Sequence, residues 1–203
     1  MKKRFAILGV LGCLASSGVA AAADPLGADV ETLSRELRER ARYGVISELE
    51  SLIRRGADVN APAAYGETAL FYAIQFGRVK AANRLLELGA NPNLVDDTDR
   101  SPLLKAAEDC NWRVVEQLLK KGAKINHKDF YGRTALINAA EGGCVRAVAV
   151  LLTQGRGKIQ IDAMDANYRT AYEYARHPWI LWMIEKAREG AAVPQEGQPP
   201  ALY

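Results

Sequence analysis

The 203 residues carry 27 Lys and Arg against 24 Asp and Glu, with 49% hydrophobic and only 7% aromatic side chains. That apolar share excludes wholesale disorder, and a formal charge of +3 is too small for the basic footprint of a dedicated nucleic-acid binder. Three cysteines are too few for a disulfide scaffold and two histidines leave little for a zinc site, so neither metal nor cofactor is expected.

The chain opens Met1-Lys2-Lys3-Arg4, runs through an apolar stretch at 5–11, and ends its first segment in Ala21-Ala22-Ala23. A basic start, a short apolar run and an Ala-x-Ala ending make a secretory signal. Residues 1–23 are therefore expected to be removed, with the periplasm of a Gram-negative bacterium as destination. Two other readings stand beside this one: an uncleaved anchor, or lipidation of Cys13 in Val10-Leu11-Gly12-Cys13, either of which would tether the protein to the membrane. The anchor reading suffers because the second half of the stretch is Ala, Gly and Ser, which insert weakly. Lys2, Lys3 and Arg4 account for the whole basic excess, so the chain beyond the signal is neutral.

A period of 33 organises residues 24–188. Gly56-Ala57-Asp58-Val59-Asn60, Gly89-Ala90-Asn91-Pro92-Asn93 and Gly122-Ala123-Lys124-Ile125-Asn126 recur at that spacing, and Gly155 falls on the next step. Thr68, Ser101 and Thr134 form a second series, followed after 36 residues by Thr170, so three extra residues lie within 156–161. Each hydroxyl is placed to cap a helix, and Pro102 sits where a missing N–H costs nothing. Small residues follow at Ala73, Ala106, Ala107, Ala139, Ala140 and Ala175. A break falls at Gly77, Cys110 and Gly143, nine residues after the hydroxyl. A second helix then carries apolar residues at helical spacing, as in Val114, Val115, Leu118 and Leu119. Gly89 and Gly122 are expected to stop it as left-handed caps.

This pattern resembles the ankyrin repeat: the Gly-x-Thr-Pro-Leu, Ala-Ala, Gly, Val-Val, Leu-Leu, Gly-Ala-Asp-x-Asn order is closely followed in three units and more loosely at both ends. The family's helix-start His is replaced by Phe71, Leu104, Ile137 and Glu173. The resemblance implies an all-α solenoid of about five stacked helix-turn-helix units, near 28–60, 61–93, 94–126, 127–162 and 163–188, with capping first and last units. Arg35, Arg38, Arg40 and Arg42 in the first unit read as a solvated face. Residues 189–203, rich in Pro and Gly, read as a flexible tail.

Groups for catalysis are not assembled by any motif. Gly155-Arg156-Gly157-Lys158 lacks the rest of a phosphate loop and follows a helix, not a strand. The acidic run Asp96-Asp97-Thr98-Asp99 lacks the ligand number of a calcium loop, and His127 and His177 read as turn residues. Cys110 and Cys144 lie one repeat plus one residue apart. Equivalent positions on neighbouring helices are about 8–10 Å apart and a bridge needs less than about 7 Å between Cα atoms; the one-residue offset either closes that gap or widens it.

The resemblance implies that binding falls to the turn tips and the concave face of the first helices. The tip candidates are Tyr65, Asp96, Asp97, Asp99, Phe130, Tyr131, Arg133, Asn167 and Tyr168; the concave candidates are Tyr72, Gln75, Phe76, Lys105, Glu108, Asp109, Asn138, Glu141 and Tyr174. The expected partner is another protein, a secreted or periplasmic enzyme, and not nucleic acid. Three roles compete: an immunity protein that sterically blocks a toxic effector, an accessory factor for periplasmic oxidative-stress defence beside a catalase, and an enzyme, the last disfavoured for want of a catalytic constellation.

Overall fold

The computed structural model describes residues 29–194. The signal segment at 1–23, Cys13 and the last nine residues lie outside the described residues. Among the described residues, no helix is long and apolar enough to cross a membrane.

Among the described residues, ten α-helices stand in five pairs: α1 (Val30–Tyr43) with α2 (Ile46–Arg54), α3 (Ala69–Gln75) with α4 (Val79–Glu87), α5 (Pro102–Glu108) with α6 (Trp112–Lys120), α7 (Ala135–Glu141) with α8 (Val145–Gln154), and α9 (Ala171–Tyr174) with α10 (Pro178–Arg188). The odd helices pack on one another in one layer and the even helices in a second. This is the all-α repeat stack expected from the 33-residue period.

Each short odd helix is started by its own cap. The Thr68, Ser101 and Thr134 hydroxyls accept from the backbone N–H of Phe71, Leu104 and Ile137, all at 3.3 Å. The last unit caps differently, because Glu173 occupies the fourth position: its carboxylate accepts from the Thr170 backbone N–H at 2.6 Å, closing a capping box. In the other units that position holds Phe71, Leu104 and Ile137, and all three are buried. The missing polar side chain is thus replaced by core.

The core is a column of small and branched residues. Ala73, Ala106, Ala107, Ala139 and Ala140 are fully buried and let the odd helices approach closely, while Leu85, Leu118 and Leu151 fill the second layer. At the ends, Leu33, Leu37 and Leu49 close the first face, and Ile180, Met183 and Ile184 the last. Trp179 and Trp182 stack there with centroids 4.4 Å apart.

Gly77, Cys110 and Gly143 turn the chain between paired helices with φ of 66°, 56° and 67°. Gly89 and Gly122 are left-handed as expected, with φ of 95° and 85°. Gly155 is not (φ −85°), because the three inserted residues move the left-handed position to Gly157 at 77°.

Two expectations need correcting. Arg38 is not on a solvated face: it is buried, and its guanidinium donates to the Ala61 and Pro62 carbonyls and to Glu31. The first unit has no preceding neighbour, so α1 uses a long side chain to tie itself to the following connection. Residues 190–193 are held against the stack, since Arg156 donates to the Gly190 carbonyl at 2.8 Å and Val193 is buried.

Cys110 and Cys144 form a disulfide with Cα atoms 5.0 Å apart. The one-residue offset closes the gap because Cys144 follows the left-handed Gly143, while Cys110 itself occupies the left-handed position of the preceding repeat.

Leu103 is fully buried at the centre of the stack, so Leu103→Ala is expected to cost about 2–5 kcal/mol, read as a lower urea midpoint with unchanged slope. Replacing both Cys110 and Cys144 by Ser opens a closed loop of 34 residues; the chain-entropy relation gives a loss of about 3–4 kcal/mol, measured the same way against the oxidised protein.

Candidate binding surface

The connections between pairs project as fingers at 55–68, 88–101, 121–134 and 155–170. Three of them are built on one aspartate. Asp96 Oδ1 accepts from the N–H of Thr98 at 2.9 Å and of Arg100 at 3.0 Å. Asp129 does the same for Tyr131 and Arg133, both at 2.9 Å, and Asp165 for Asn167 and Arg169 at 2.8 and 3.0 Å. Each aspartate N–H in turn donates to the carbonyl four residues on, so every tip is a closed, hydrogen-bonded turn. All three aspartates are buried.

Asp96 is therefore not a contact residue for a partner. Its second oxygen is also engaged, accepting from Arg100 Nε at 2.9 Å. Burial pushes its carboxyl up, but hydrogen bonds from Thr98 and Arg100 outweigh that and hold it below the ordinary carboxylate range. The same opposition lowers Asp165, with the Tyr174 hydroxyl as the foremost donor. Sequence reasoning placed Asp96 in an acidic cluster and overlooked Asp129 and Asp165; the signal was present in their spacing of 33 and 36 residues.

Neighbouring tips are bonded to one another. Asp97 N–H donates to the Tyr65 carbonyl, Phe130 to Thr98 and Ala166 to Tyr131, at 2.9, 3.1 and 2.9 Å. Behind them, Asn60, Asn93 and Asn126 each accept from the N–H of the next finger at 2.8 Å. His127 reaches the Asp99 carbonyl at 2.7 Å, a turn contact between fingers. The tips thus form one continuous edge.

That edge carries exposed aromatic rings: Tyr65 (75%), Phe130 (76%), Tyr131 (61%) and Tyr168 (81%). Met164, which sequence reasoning missed, is half exposed beside them, held through its carbonyl by Lys128 Nζ at 2.8 Å. Phe130 and Tyr131 meet edge to face with centroids 5.6 Å apart. Tyr168 stands, with φ 61°, at the position that is Gly66 in the first finger and Gly132 in the third, and Tyr65 also has a positive φ of 66°. A bulky residue in the left-handed region costs about 1 kcal/mol or more. Asp97, Asp99 and Asn167 are exposed on the same edge, while Arg133 is half-buried and paired with Glu141.

The first-helix candidates divide. Gln75, Glu108 and Asp109 are exposed, whereas Asn138 is buried. Lys105 is enclosed by Asp109 at 2.9 Å and Glu108 at 3.6 Å, and Tyr174 donates to Asp165 at 2.6 Å. Tyr72 and Phe76 lie parallel, 6.4 Å between centroids, with the Arg42 guanidinium 4.6 Å from the Phe76 ring. Only part of that layer is free to meet a partner.

Among the described residues, no group of three or more His, Cys, Asp or Glu is placed to hold a metal ion. Because the folded values of Asp96 and Asp165 lie below the unfolded value of about 3.9, their contribution is whole above that pH and is lost as pH falls through the folded values. Urea stability is expected to drop below about pH 4, and Asp96→Asn to flatten that acid limb.

Comparison with known proteins agrees with this geometry. No curated protein matches the chain. The family described as ankyrin repeats (3 copies) matches residues 39–129 and 103–187. Capped helix pairs at a 33-residue period, linked by hydrogen-bonded fingers and matched over most of the length, make this chain a member of the ankyrin-repeat family, a scaffold that binds other proteins.

Proposed function

We propose that this protein is an exported inhibitor of the immunity type, which lays its fingers and first-helix layer over the active site of a toxic effector enzyme in the periplasm. It performs no chemistry of its own; obstruction is enough.

The observation that carries this reading is the row Tyr65, Phe130, Tyr131 and Tyr168 on hydrogen-bonded tips. Aromatic anchors dominate binding energy in many interfaces, and anchors that are already held lose little freedom on binding. Charge along the edge is uneven, acidic at Asp97 and Asp99 and basic at Lys128 and Arg169, which suits steering of a complementary partner. Export is supported by the signal-like residues 1–23 and by the Cys110–Cys144 bridge, since disulfides persist in oxidising compartments.

The test is capture from periplasmic extract with the tagged protein, followed by an activity assay on what is retained. A hydrolytic enzyme inhibited at one-to-one stoichiometry is expected. Combining Phe130→Ala with Tyr131→Ala is expected to weaken binding by about 2 kcal/mol, roughly thirtyfold in Kd, with an unchanged melting temperature. Retention of an enzyme whose activity is undiminished at saturation overturns the reading, and retention of an active catalase replaces it with the stress-defence role.

A further inference from the structure

Gly77, Cys110 and Gly143 occupy the same left-handed turn in the second, third and fourth repeats. The two ends of the Cys110–Cys144 bridge differ: Cys110 is exposed, while Cys144 is 4% exposed and lies against Gly142. The bridge runs from the third repeat toward the fourth. On the other side of Cys110, toward the second repeat, lies a groove of about 470 Å³ whose walls include Ile74, Gly77, Val79, Cys110, Trp112 and Arg113 but not Cys144. Gly77 contributes no side chain there, and even an added Cβ would meet nothing within 4 Å.

Exchange at a disulfide requires a thiolate to attack one sulfur while the other departs on the far side. The groove opens that approach to Cys110, while Cys144 lies outside it and is buried. Cys144 is the suited leaving group. It is the N-cap residue of α8, a helix of 10 residues, where free N–H groups and the helix dipole stabilise a thiolate. The groove also has a sign: Asp109 is neutralised by Lys105 at 2.9 Å, whereas the Arg113 guanidinium is exposed, 4.6 Å from the Trp112 ring.

We propose that the Cys110–Cys144 bridge is a thiol-exchange site for a small, peptide-sized thiol that carries a carboxylate. The incoming thiolate sulfur bonds to Cys110 Sγ and the Cys110–Cys144 bond breaks. Its electron pair stays on Cys144, which leaves as thiolate and takes a proton from water. One disulfide is exchanged for another, with no net oxidation. The turn of the third repeat is then untied from the fourth.

Reduced glutathione is the probe, added to the folded, oxidised full chain, with acid quenching, alkylation and peptide mapping. The expected product carries glutathione on Cys110 and the alkylating group on Cys144, formed in native buffer with the helical circular dichroism unchanged. Arg113→Gln is expected to slow exchange with glutathione about threefold or more and to leave the rate with uncharged 2-mercaptoethanol unaltered. Adduct on Cys144, an even split between the two, or reaction only at denaturant concentrations that unfold the chain overturns the site. An equal effect of Arg113→Gln on both thiols overturns the carboxylate preference.

Discussion

No repeat in this protein buries its own apolar face, and that constraint governs the rest of the structure. A seven-residue helix such as α5 is far too short to persist alone; it stands because Leu103, Ala106 and Ala107 are sealed between α3 and α7. Every unit therefore needs a neighbour, and the end units must find substitutes. At the start the substitute is Arg38, which reaches across to the Ala61 and Pro62 carbonyls. At the other end it is a stacked tryptophan pair and a longer final helix.

The same stacking makes the fingers usable. Connections of 14 to 16 residues would ordinarily be mobile, but three of the four tips are closed by a buried aspartate, the first by the Ala63 N–H donating to the Glu67 carbonyl, and each is bonded to the tip beside it. Rigidity in one finger is thus supplied by the next. The result separates two jobs within a single repeat: repeated positions such as Asn60, Asn93 and Asn126 hold the register, and unrepeated ones such as Tyr168 face outward. The Tyr168 ring, standing in a left-handed position where two other fingers use glycine, marks that residue as kept for something other than fold stability.

Departures from the repeat are informative because the scaffold is otherwise uniform. Cys110 in place of glycine puts a side chain at a turn that tolerates one poorly, and Cys144 one residue past the equivalent turn supplies its partner. Between them they join two units that also pack on each other through both helix layers. The three-residue insertion after Gly155 shifts a left-handed turn to Gly157 and lets Arg156 grip the chain beyond α10.

Fold class, repeat number, helix caps and the turn positions were legible in the linear sequence, since each rests on interactions within a few residues: a hydroxyl and the N–H three places on, a glycine and its own φ. The aspartate clamp was legible too, in the register of Asp96, Asp129 and Asp165. What the line of residues could not decide were contacts set by the offset between neighbouring repeats. Whether Cys110 reached Cys144, whether Arg38 faced water or carbonyls, and whether Asp96 met a partner or its own loop all depended on displacements of a few ångströms across the stack. Periodicity dictates that units stack; only the packed side chains determine how far one unit sits from the next.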